Sequence, residues 1–262
     1  MKKFKIFLLL IFPFLISAPT SGRAEIYIGA YAGVNFSGEM NPDFEFYQRS
    51  AKGLRDPGID PDRTVYATRN AKGIGADPAA IFGGKIGCWF TRESVLGVKL
   101  PNWLKYFGFE LDLSYHNINW PSQNVRVEPL NQKYVIENTG YAITAAFLFM
   151  GRYGFLKDSE VPFGRLQPYI GIGPVLFVST QKLNIGNDFK STEADLGFAI
   201  ESGIRYMLRK SISVNMAFRY RFIPNHLDVD DKIFDQAESY RYIVMRTNLN
   251  LYDIICGVAY HF

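Results

Sequence analysis

The sequence of 262 residues is short of several features that usually indicate a function. It has only two cysteines and three histidines, and no run of basic residues suggests that it binds nucleic acid. Beyond the N-terminus, no segment approaches the stretch of about 18 apolar residues that a transmembrane helix needs. These shortages argue against a nucleic-acid-binding protein and against a helical membrane protein.

The N-terminus has the pattern of a secretory signal peptide. Three early lysines precede an apolar run at residues 6–16, and Gly22 and Ala24 supply small residues at the −3 and −1 positions of a cleavage site. The apolar run is too short to span a bilayer comfortably, which argues against a membrane anchor. We therefore expect a cleaved signal peptide, residues 1–24, and a single mature domain, residues 25–262, with a net charge close to zero.

The mature part is rich in aromatic residues and glycine, and it alternates between apolar and polar residues in eight segments. Each segment is long enough for a tilted strand to cross a membrane. Long polar connections alternate with shorter ones, as expected for outer loops and periplasmic turns. The candidate strands are residues 26–36, 80–91, 105–118, 140–152, 166–178, 194–206, 212–222 and 249–262.

The distribution of charge between the two strand faces separates a membrane barrel from a soluble one. In residues 212–222, an apolar stripe from Ile212 to Phe222 alternates with a face that carries Arg219 and Arg221. A soluble, lipocalin-like barrel would place its charges outside, whereas a barrel in lipid encloses them. We therefore predict an all-β fold: an eight-stranded antiparallel transmembrane β-barrel, an up-and-down meander with long outer loops, located in the outer membrane.

Glycine/aromatic motifs in three of these strands resemble those of the OmpA-like, opacity-protein-like outer-membrane β-barrel superfamily. They are Tyr27-Ile28-Gly29-Ala30-Tyr31-Ala32-Gly33-Val34, Pro168-Tyr169-Ile170-Gly171-Ile172-Gly173 and Phe218-Arg219-Tyr220-Arg221-Phe222. The resemblance covers nearly the whole mature chain and implies the barrel, but hardly any function. No OmpA-type peptidoglycan-binding domain is expected, so peptidoglycan anchoring is not implied. Pro174 departs from the pattern and should break a ladder hydrogen bond locally.

The C-terminal tail resembles the signal that the barrel-assembly machinery reads. Gly257, Tyr260 and Phe262 fall at the expected spacing, although Ile255 stands where a polar residue is usual. The resemblance implies that periplasmic chaperones and the barrel-assembly machinery are partners of the chain.

The inward faces of the candidate strands carry charged residues at similar depths. An eight-stranded barrel is just wide enough for side chains to fill its interior. Counting from the periplasmic end pairs Lys85 with Glu110 and Glu201 with Arg219. The predicted lumenal charge network consists of Lys85, Glu110, Asp112, Glu201, Arg219, Arg221 and Asp253.

This network allows two functional interpretations. As a plug of salt bridges, it predicts a non-enzymatic protein with an envelope-structural role, or with a surface-contact role through its extracellular loops. As a set of exchanging pairs, it predicts a narrow gated channel for small solutes or ions. The outer loop at residues 37–79, with Phe44, Phe46 and Tyr47, is the candidate site for a surface ligand. We expect a monomer surrounded by lipid and lipopolysaccharide.

Catalytic and metal sites have weaker support. Ser114 and His116 share an inward face above Asp112, in the reverse order of the His-x-Ser motif of lipid A deacylases. They make a lipid A-modifying hydrolase the second alternative, although no enzyme is predicted. The acidic segment 228–231 lacks the glycine and the terminal glutamate of an EF-hand loop, so neither a metal nor another cofactor is predicted.

The two cysteines are predicted to be free thiols. Cys88 and Cys256 both fall on lipid-facing stripes, and another strand separates their strands. Their separation of about two strand spacings, roughly 10 Å, is beyond the reach of a disulfide.

Overall fold

The computed structural model describes residues 24–49, 64–90, 101–128, 132–184, 188–231 and 240–262. The predicted signal peptide, residues 1–24, lies outside them except for Ala24. Within these ranges, no helix is long and apolar enough to cross a membrane.

The described residues form ten strands and a short 3-10 helix, Asn102–Tyr106. The strands are β1 (Ala24–Ser37), β2 (Asp43–Arg49), β3 (Thr64–Ala71), β4 (Ala79–Phe90), β5 (Phe107–Glu128), β6 (Gln132–Arg152), β7 (Leu166–Asn184), β8 (Asp188–Arg209), β9 (Ile212–Asp231) and β10 (Tyr240–His261).

Eight of the strands close into an antiparallel ring. Strand β1 pairs with β4, β4 pairs with β5, and β5 to β10 follow one another in chain order. The ring closes where β10 pairs with β1, in a register that runs from Tyr27 opposite His261 to Ser37 opposite Leu251. Closure leaves no unpaired strand edge within the ring, which a sheet in hydrocarbon requires. The predicted eight-stranded antiparallel meander is confirmed.

The outer surface of the ring is apolar and exposed. Leu196, Phe82 and Ile28 are 74%, 57% and 52% exposed, while the inward-facing charged residues of the same strands are buried. An apolar band around a polar interior is the arrangement of transmembrane barrels. The ring is therefore lipid-facing, and the protein is an outer-membrane β-barrel.

Particular residues explain local features of the wall. Pro174 is exposed on the lipid face, and the β6–β7 ladder is interrupted beside it, between the pairs Ala146–Val175 and Phe149–Ile172. Proline has no N–H to donate, so the predicted break has its expected cause.

Two inward-facing glycines of β4 leave room for tyrosine rings from β1. A Cβ atom at Gly83 would collide with the ring of Tyr31, and one at Gly87 would collide with the ring of Tyr27. The glycines therefore let both rings lie against the backbone of β4, inside the barrel.

Strands β5 to β10 continue beyond the membrane on the outer side. They have 19 to 22 residues each, so they are longer than the segments that alternation predicts. The outer connections start correspondingly later along the chain. Residue Lys105, predicted to start a strand, lies in the 3-10 helix instead.

The predicted loop at residues 37–79 contains a hairpin, β2–β3, that completes this outer extension. Strand β2 pairs with β10, from Asp43 opposite Arg246, and β3 pairs with β5 at Asn70 and Ala71. The hairpin thus continues the wall where β1 and β4 end.

Candidate functional site

The centre of the barrel holds a layer of buried ion pairs. Lys85 Nζ of β4 lies 3.1 Å from both Glu110 Oε1 and Glu201 Oε1. Arg219 of β9 contacts Glu201 at 2.5 Å and makes two parallel bonds of 3.0 and 2.8 Å to the Asp112 carboxylate. Bonds between Lys85 and Glu201 and between Arg219 and Asp112 cross the bore, so the layer joins opposite walls.

Three buried tyrosines donate to the carboxylates of this layer. The hydroxyl of Tyr27 donates to Glu110 at 2.5 Å, and that of Tyr31 donates to Asp112 at 2.8 Å. The hydroxyl of Tyr169 donates to Glu201 at 3.0 Å. Such bonds stabilise buried carboxylates, since a desolvated charge needs several polar partners.

A second ion pair lies beside the first layer. Arg221 Nη2 is 2.9 Å from Asp253 Oδ1, and Arg221 Nη1 donates to the Thr144 hydroxyl at 3.0 Å. The amide of Asn35 donates to the same Asp253 oxygen at 2.6 Å.

A fourth cation completes the charge balance of these two layers. The Arg205 guanidinium lies 4.3 Å from the centroid of the Tyr27 ring, within cation–π range. Its positive charge offsets the excess carboxylate of the central layer, because burial of ions is least costly when their charges cancel. In these layers the cations are Lys85, Arg205, Arg219 and Arg221, and the anions are Glu110, Asp112, Glu201 and Asp253; the buried Arg152 and Asp195 pair elsewhere, with Glu25 and His226.

The structure brings all seven residues of the predicted network together in the interior. Strand counting gives correct heights for Glu201 and Arg219, which are opposite each other in the ladder. Lys85 stands opposite Asp112 in the ladder but bonds diagonally to Glu110. Sequence reasoning missed Arg205 and the tyrosines, although their inward parity was available as a signal.

Ser114 and His116 are both buried but do not form a catalytic pair. Neither Ser114 Oγ nor either ring nitrogen of His116 has a hydrogen-bond partner. The His116 ring lies 6.1 Å, between centroids, from Phe177. Ser114 and His116, on which the hydrolase alternative depends, are therefore not arranged as a nucleophile and its base.

A serine–histidine–carboxylate set that the sequence did not indicate lies at the periplasmic end. Ser213 Oγ is 2.8 Å from His261 Nε2, and His261 Nδ1 is 3.0 Å from Glu25 Oε1. Two features make the set structural. Ser213 is fully buried, and Arg152 pairs with Glu25, so the carboxylate is already neutralised and would stabilise an imidazolium poorly.

The outer half of the interior combines apolar side chains with a chain of buried hydrogen bonds through Asn138, Gln181, Asn225 and Asp195. On β5, Ile118 and Trp120 are buried, while the alternating Asn117 and Asn119 are exposed, so the two faces of this strand reverse their polarity above the membrane. Other buried apolar residues come from the hairpin region and from β9 and β10: Met40, Phe44, Ile74, Ile223, Met245, Leu249 and Leu251.

The remaining predicted residues are placed as follows. Tyr260 and Phe262 are exposed on the outer surface, with ring centroids 5.1 Å apart, and Gly257 lies opposite Tyr31 of β1. The side chains of the acidic segment 228–231, like those of Phe46 and Tyr47, lie outside the described residues. Among the described residues, no group of three or more His, Cys, Asp or Glu side chains could hold a metal ion.

The two cysteines are free thiols, as predicted. Cys88 stands opposite Ile26 and Cys256 stands opposite Ala32 on the two sides of β1. Because Ile26 and Ala32 are at different positions along β1, the two cysteines are further apart than the two strand spacings alone would place them.

Neither a protein-family model nor a curated protein matches the sequence. Among solved structures, the outer membrane protein OprG from Pseudomonas aeruginosa is similar, with 17% identity and a TM-score of 0.47 over 92% of this chain and 98% of OprG. Neisserial surface protein A has 13% identity and a TM-score of 0.41, over 92% of this chain and 100% of that protein.

The outer membrane protease OmpT from Escherichia coli is a further match, with 11% identity and a TM-score of 0.31 over 90% of this chain and 97% of OmpT. Matches at these levels concern the fold alone and do not indicate an activity. They are outer-membrane β-barrels, the class that the sequence motifs resemble.

Proposed function

We propose that the protein is a non-enzymatic outer-membrane barrel with a closed interior, acting in envelope integrity or surface contact through its outer half. The observation that carries this proposal is the filling of the bore by two successive layers. Salt bridges join opposite walls at the centre, and apolar side chains together with hydrogen-bonded amides fill the interior above them.

The central layer resists opening because its charges depend on one another. Separating Arg219 from Asp112 or Glu201 would leave fully buried charges unpaired, which costs several kcal/mol. Tyr31 also donates to Asp112 and Tyr169 donates to Glu201, so each of these carboxylates is held by a tyrosine as well as by Arg219.

The outer extension offers the surface for contact. A strand of about 20 residues that rises about 3.3 Å per residue and tilts by about 40° spans about 50 Å along the barrel axis, against about 25 Å for the apolar band. About half of each long strand therefore stands above the membrane. Hairpin β2–β3 lies at this height, within the predicted contact segment 37–79.

A narrow gated channel is the second candidate, and one observation favours it. Arg221 Nε, Asp253 Oδ2 and two nitrogens of Arg205 are buried without a protein hydrogen-bond partner. Buried polar atoms are usually satisfied, so water among these groups would complete their bonding. A hydrated charge layer could exchange partners and admit ions.

Conductance in planar bilayers separates the two functions. The refolded protein, checked for a heat-modifiable shift on gels, should show no sustained conductance. Glu201→Ala should also conduct little, because neighbouring side chains still fill the bore. Sustained, ion-selective openings of the unaltered protein would establish the channel and refute the closed barrel.

A further inference from the structure

Above the membrane, the ladder between β8 and β9 is interrupted. It starts at Arg209 opposite Ile212 and stops at Phe198 opposite Phe222. Both strands continue outward, β8 paired with β7 and β9 paired with β10. The outer extension therefore consists of two sheets, β5 to β8 on one side and β9 and β10 with the β2–β3 hairpin on the other. We call the gap between β8 and β9 the seam.

Pro224 explains why the ladder stops. Alternate residues of a strand direct their backbone groups towards the same neighbouring strand. The Phe222 carbonyl faces β8, because a Cβ atom at Gly197 would collide with its oxygen, and the His226 N–H also faces β8, where it donates to Asp195. Pro224 stands between these two residues without an N–H, so a bond to β8 is missing at this position.

Side chains close the seam where the backbone does not. The Asp195 carboxylate of β8 accepts a bond from the Asn225 amide at 2.7 Å and lies 2.5 Å from His226 Nδ1. The other ring nitrogen, His226 Nε2, is 4.0 Å from Glu193 Oε2. One histidine of β9 thus stands between two carboxylates of the facing sheet. We call Glu193, Asp195 and His226 the latch.

The protonation of His226 sets the strength of the latch. An imidazolium donates from both ring nitrogens, whereas a neutral imidazole has one N–H and turns a lone pair towards one of the carboxylates. The two carboxylates favour the charged form, and Arg246, opposite His226 in the β9–β10 ladder, disfavours it. The side chain is 45% exposed, so it exchanges protons with the medium. The ion pairs therefore stabilise the closed seam at mildly acidic pH and are lost as the pH rises through the range, about 5 to 8, in which histidines titrate.

We propose that the outer extension opens at the seam when His226 loses its proton and that protonation of His226 closes it. The two sheets stay joined in the membrane and on the far side of the extension, where β3 pairs with β5 at Asn70 and Ala71. Opening exposes the apolar and amide side chains between the sheets to a partner at the cell surface. The use of the opening rests on the surface-contact function proposed above, whereas the opening itself is independent of it.

The distance between two spin labels tests the opening directly. Nitroxides are attached at Thr139→Cys on β6 and Asn248→Cys on β10, which are exposed positions on the two sheets, in a barrel whose Cys88 and Cys256 are changed to alanine. Four strand spacings separate the labels, so they lie on opposite sides of the wall. Pulsed electron paramagnetic resonance of the refolded protein should give a narrow distance distribution at about pH 5.5 and an added longer component at about pH 8.

Two variants in this labelled barrel should remove the pH response in opposite directions. His226→Gln cannot be protonated, so it should show the longer component at both pH values. Pro224→Thr supplies the missing N–H and lets the ladder extend, so its distribution should stay narrow at both. Glu137→Gln, at an exposed position on β6, is the control and should respond to pH as the unaltered residue does.

The outcomes separate this opening from the proposed closed barrel. An unchanged distribution at the two pH values with His226 in place, or a pH response that survives in His226→Gln, would overturn the proposal. Conductance in planar bilayers at about pH 8 judges the closed barrel by itself. It should remain low while the seam is open, because the charge layer below the seam still fills the bore.

Discussion

Glu201 is the residue on which the central layer depends most. Its carboxylate accepts bonds from Lys85, Arg219 and Tyr169, which come from three other strands. The side chains of Glu201, Lys85 and Arg219 are almost completely inaccessible to solvent. Removal of the carboxylate therefore leaves two buried cations short of partners.

We expect Glu201→Ala to lower the free energy of unfolding by about 3–5 kcal/mol, as measured by urea unfolding in detergent or lipid. Glu137→Ala is the matched control, because Glu137 is an exposed carboxylate on the outer part of β6. The control should change the free energy of unfolding by less than about 0.5 kcal/mol. An equally small effect of Glu201→Ala would contradict the interdependence of the buried charges.

For a single residue, the sequence predicts whether the side chain points into the barrel and how far along the barrel axis the residue lies. Alternation assigns Lys85 and Asp253 to the interior, and counting places Glu201 level with Arg219. It does not supply contacts across the bore, such as Arg219 with Asp112, because these depend on strand tilt and shear. The serine–histidine–carboxylate set at the periplasmic end joins the neighbouring strands β9, β10 and β1, so it depends on the register of their ends, which alternation alone does not supply.

Among the strands, the transmembrane and outer parts follow opposite patterns. Residues of β5 within the membrane place Glu110 and Asp112 inside, whereas the same strand higher up places Ile118 and Trp120 inside. On β5 the outer part therefore follows the pattern of a soluble barrel, whereas β6, β7 and β9 contribute buried amides to the same interior. The strand predicted at residues 105–118 ends where this reversal begins, although β5 continues to Glu128.

The turn at residues 153–165 is stabilised by ion pairs and by hydrogen bonds to charged side chains. Asp158 accepts a bond from the Val161 N–H, and Arg165 pairs with both Asp158 and Glu160. Arg165 also donates to the carbonyl of Leu208, which fastens the turn to the end of β8. The bond from Val161 and the Arg165 guanidinium lower the pKa of Asp158, and Arg165 chiefly lowers that of Glu160.

A lowered carboxyl pKa stabilises the turn above the ordinary values, 3.8 for Asp158 and 4.5 for Glu160, and this contribution is lost as the pH falls below them. Amide hydrogen exchange of the turn, corrected for intrinsic rates, should therefore be constant from neutral pH to about pH 5 and accelerate in stronger acid. Arg165→Gln should accelerate exchange already at neutral pH, and Lys157→Gln should not. Unchanged protection in Arg165→Gln would show that backbone bonds alone hold the turn.

The last strand supplies the prediction about assembly. Tyr260 and Phe262 are exposed on the lipid face of the terminal strand, which closes the ring against β1. Changing both to alanine should reduce outer-membrane insertion more than export, because the assembly machinery is expected to read these aromatics. Tyr252→Ala with Ile254→Ala, on the same face of the same strand, is the control. Equal outer-membrane levels of the two variants in cell fractions would count against a terminal signal.

For the whole molecule, the proposed closed barrel has two layers of side chains, and each layer is expected to seal the interior independently. The charge layer lies in the transmembrane part, and the second layer lies above it, where the β2–β3 hairpin forms part of the wall. An eight-stranded barrel has no bore beyond the volume that its side chains fill, so either layer suffices to stop ions. A barrel closed at two levels should therefore stay closed when one layer is disrupted, whereas a channel with a single gate should open.

Single and combined variants test this arrangement. Replacing residues 38–78 by a short glycine–serine linker removes the hairpin, and Glu201→Ala with Arg219→Ala truncates one buried pair while keeping the remaining charges balanced. Each change alone should leave the conductance in planar bilayers low, because the other layer still fills the bore. Combined in one heat-modifiable barrel, they should produce narrow, sustained openings, since side chains are then missing at both levels. Conductance from the hairpin deletion alone would instead mean that the salt-bridged layer does not seal the bore, and the channel interpretation would follow.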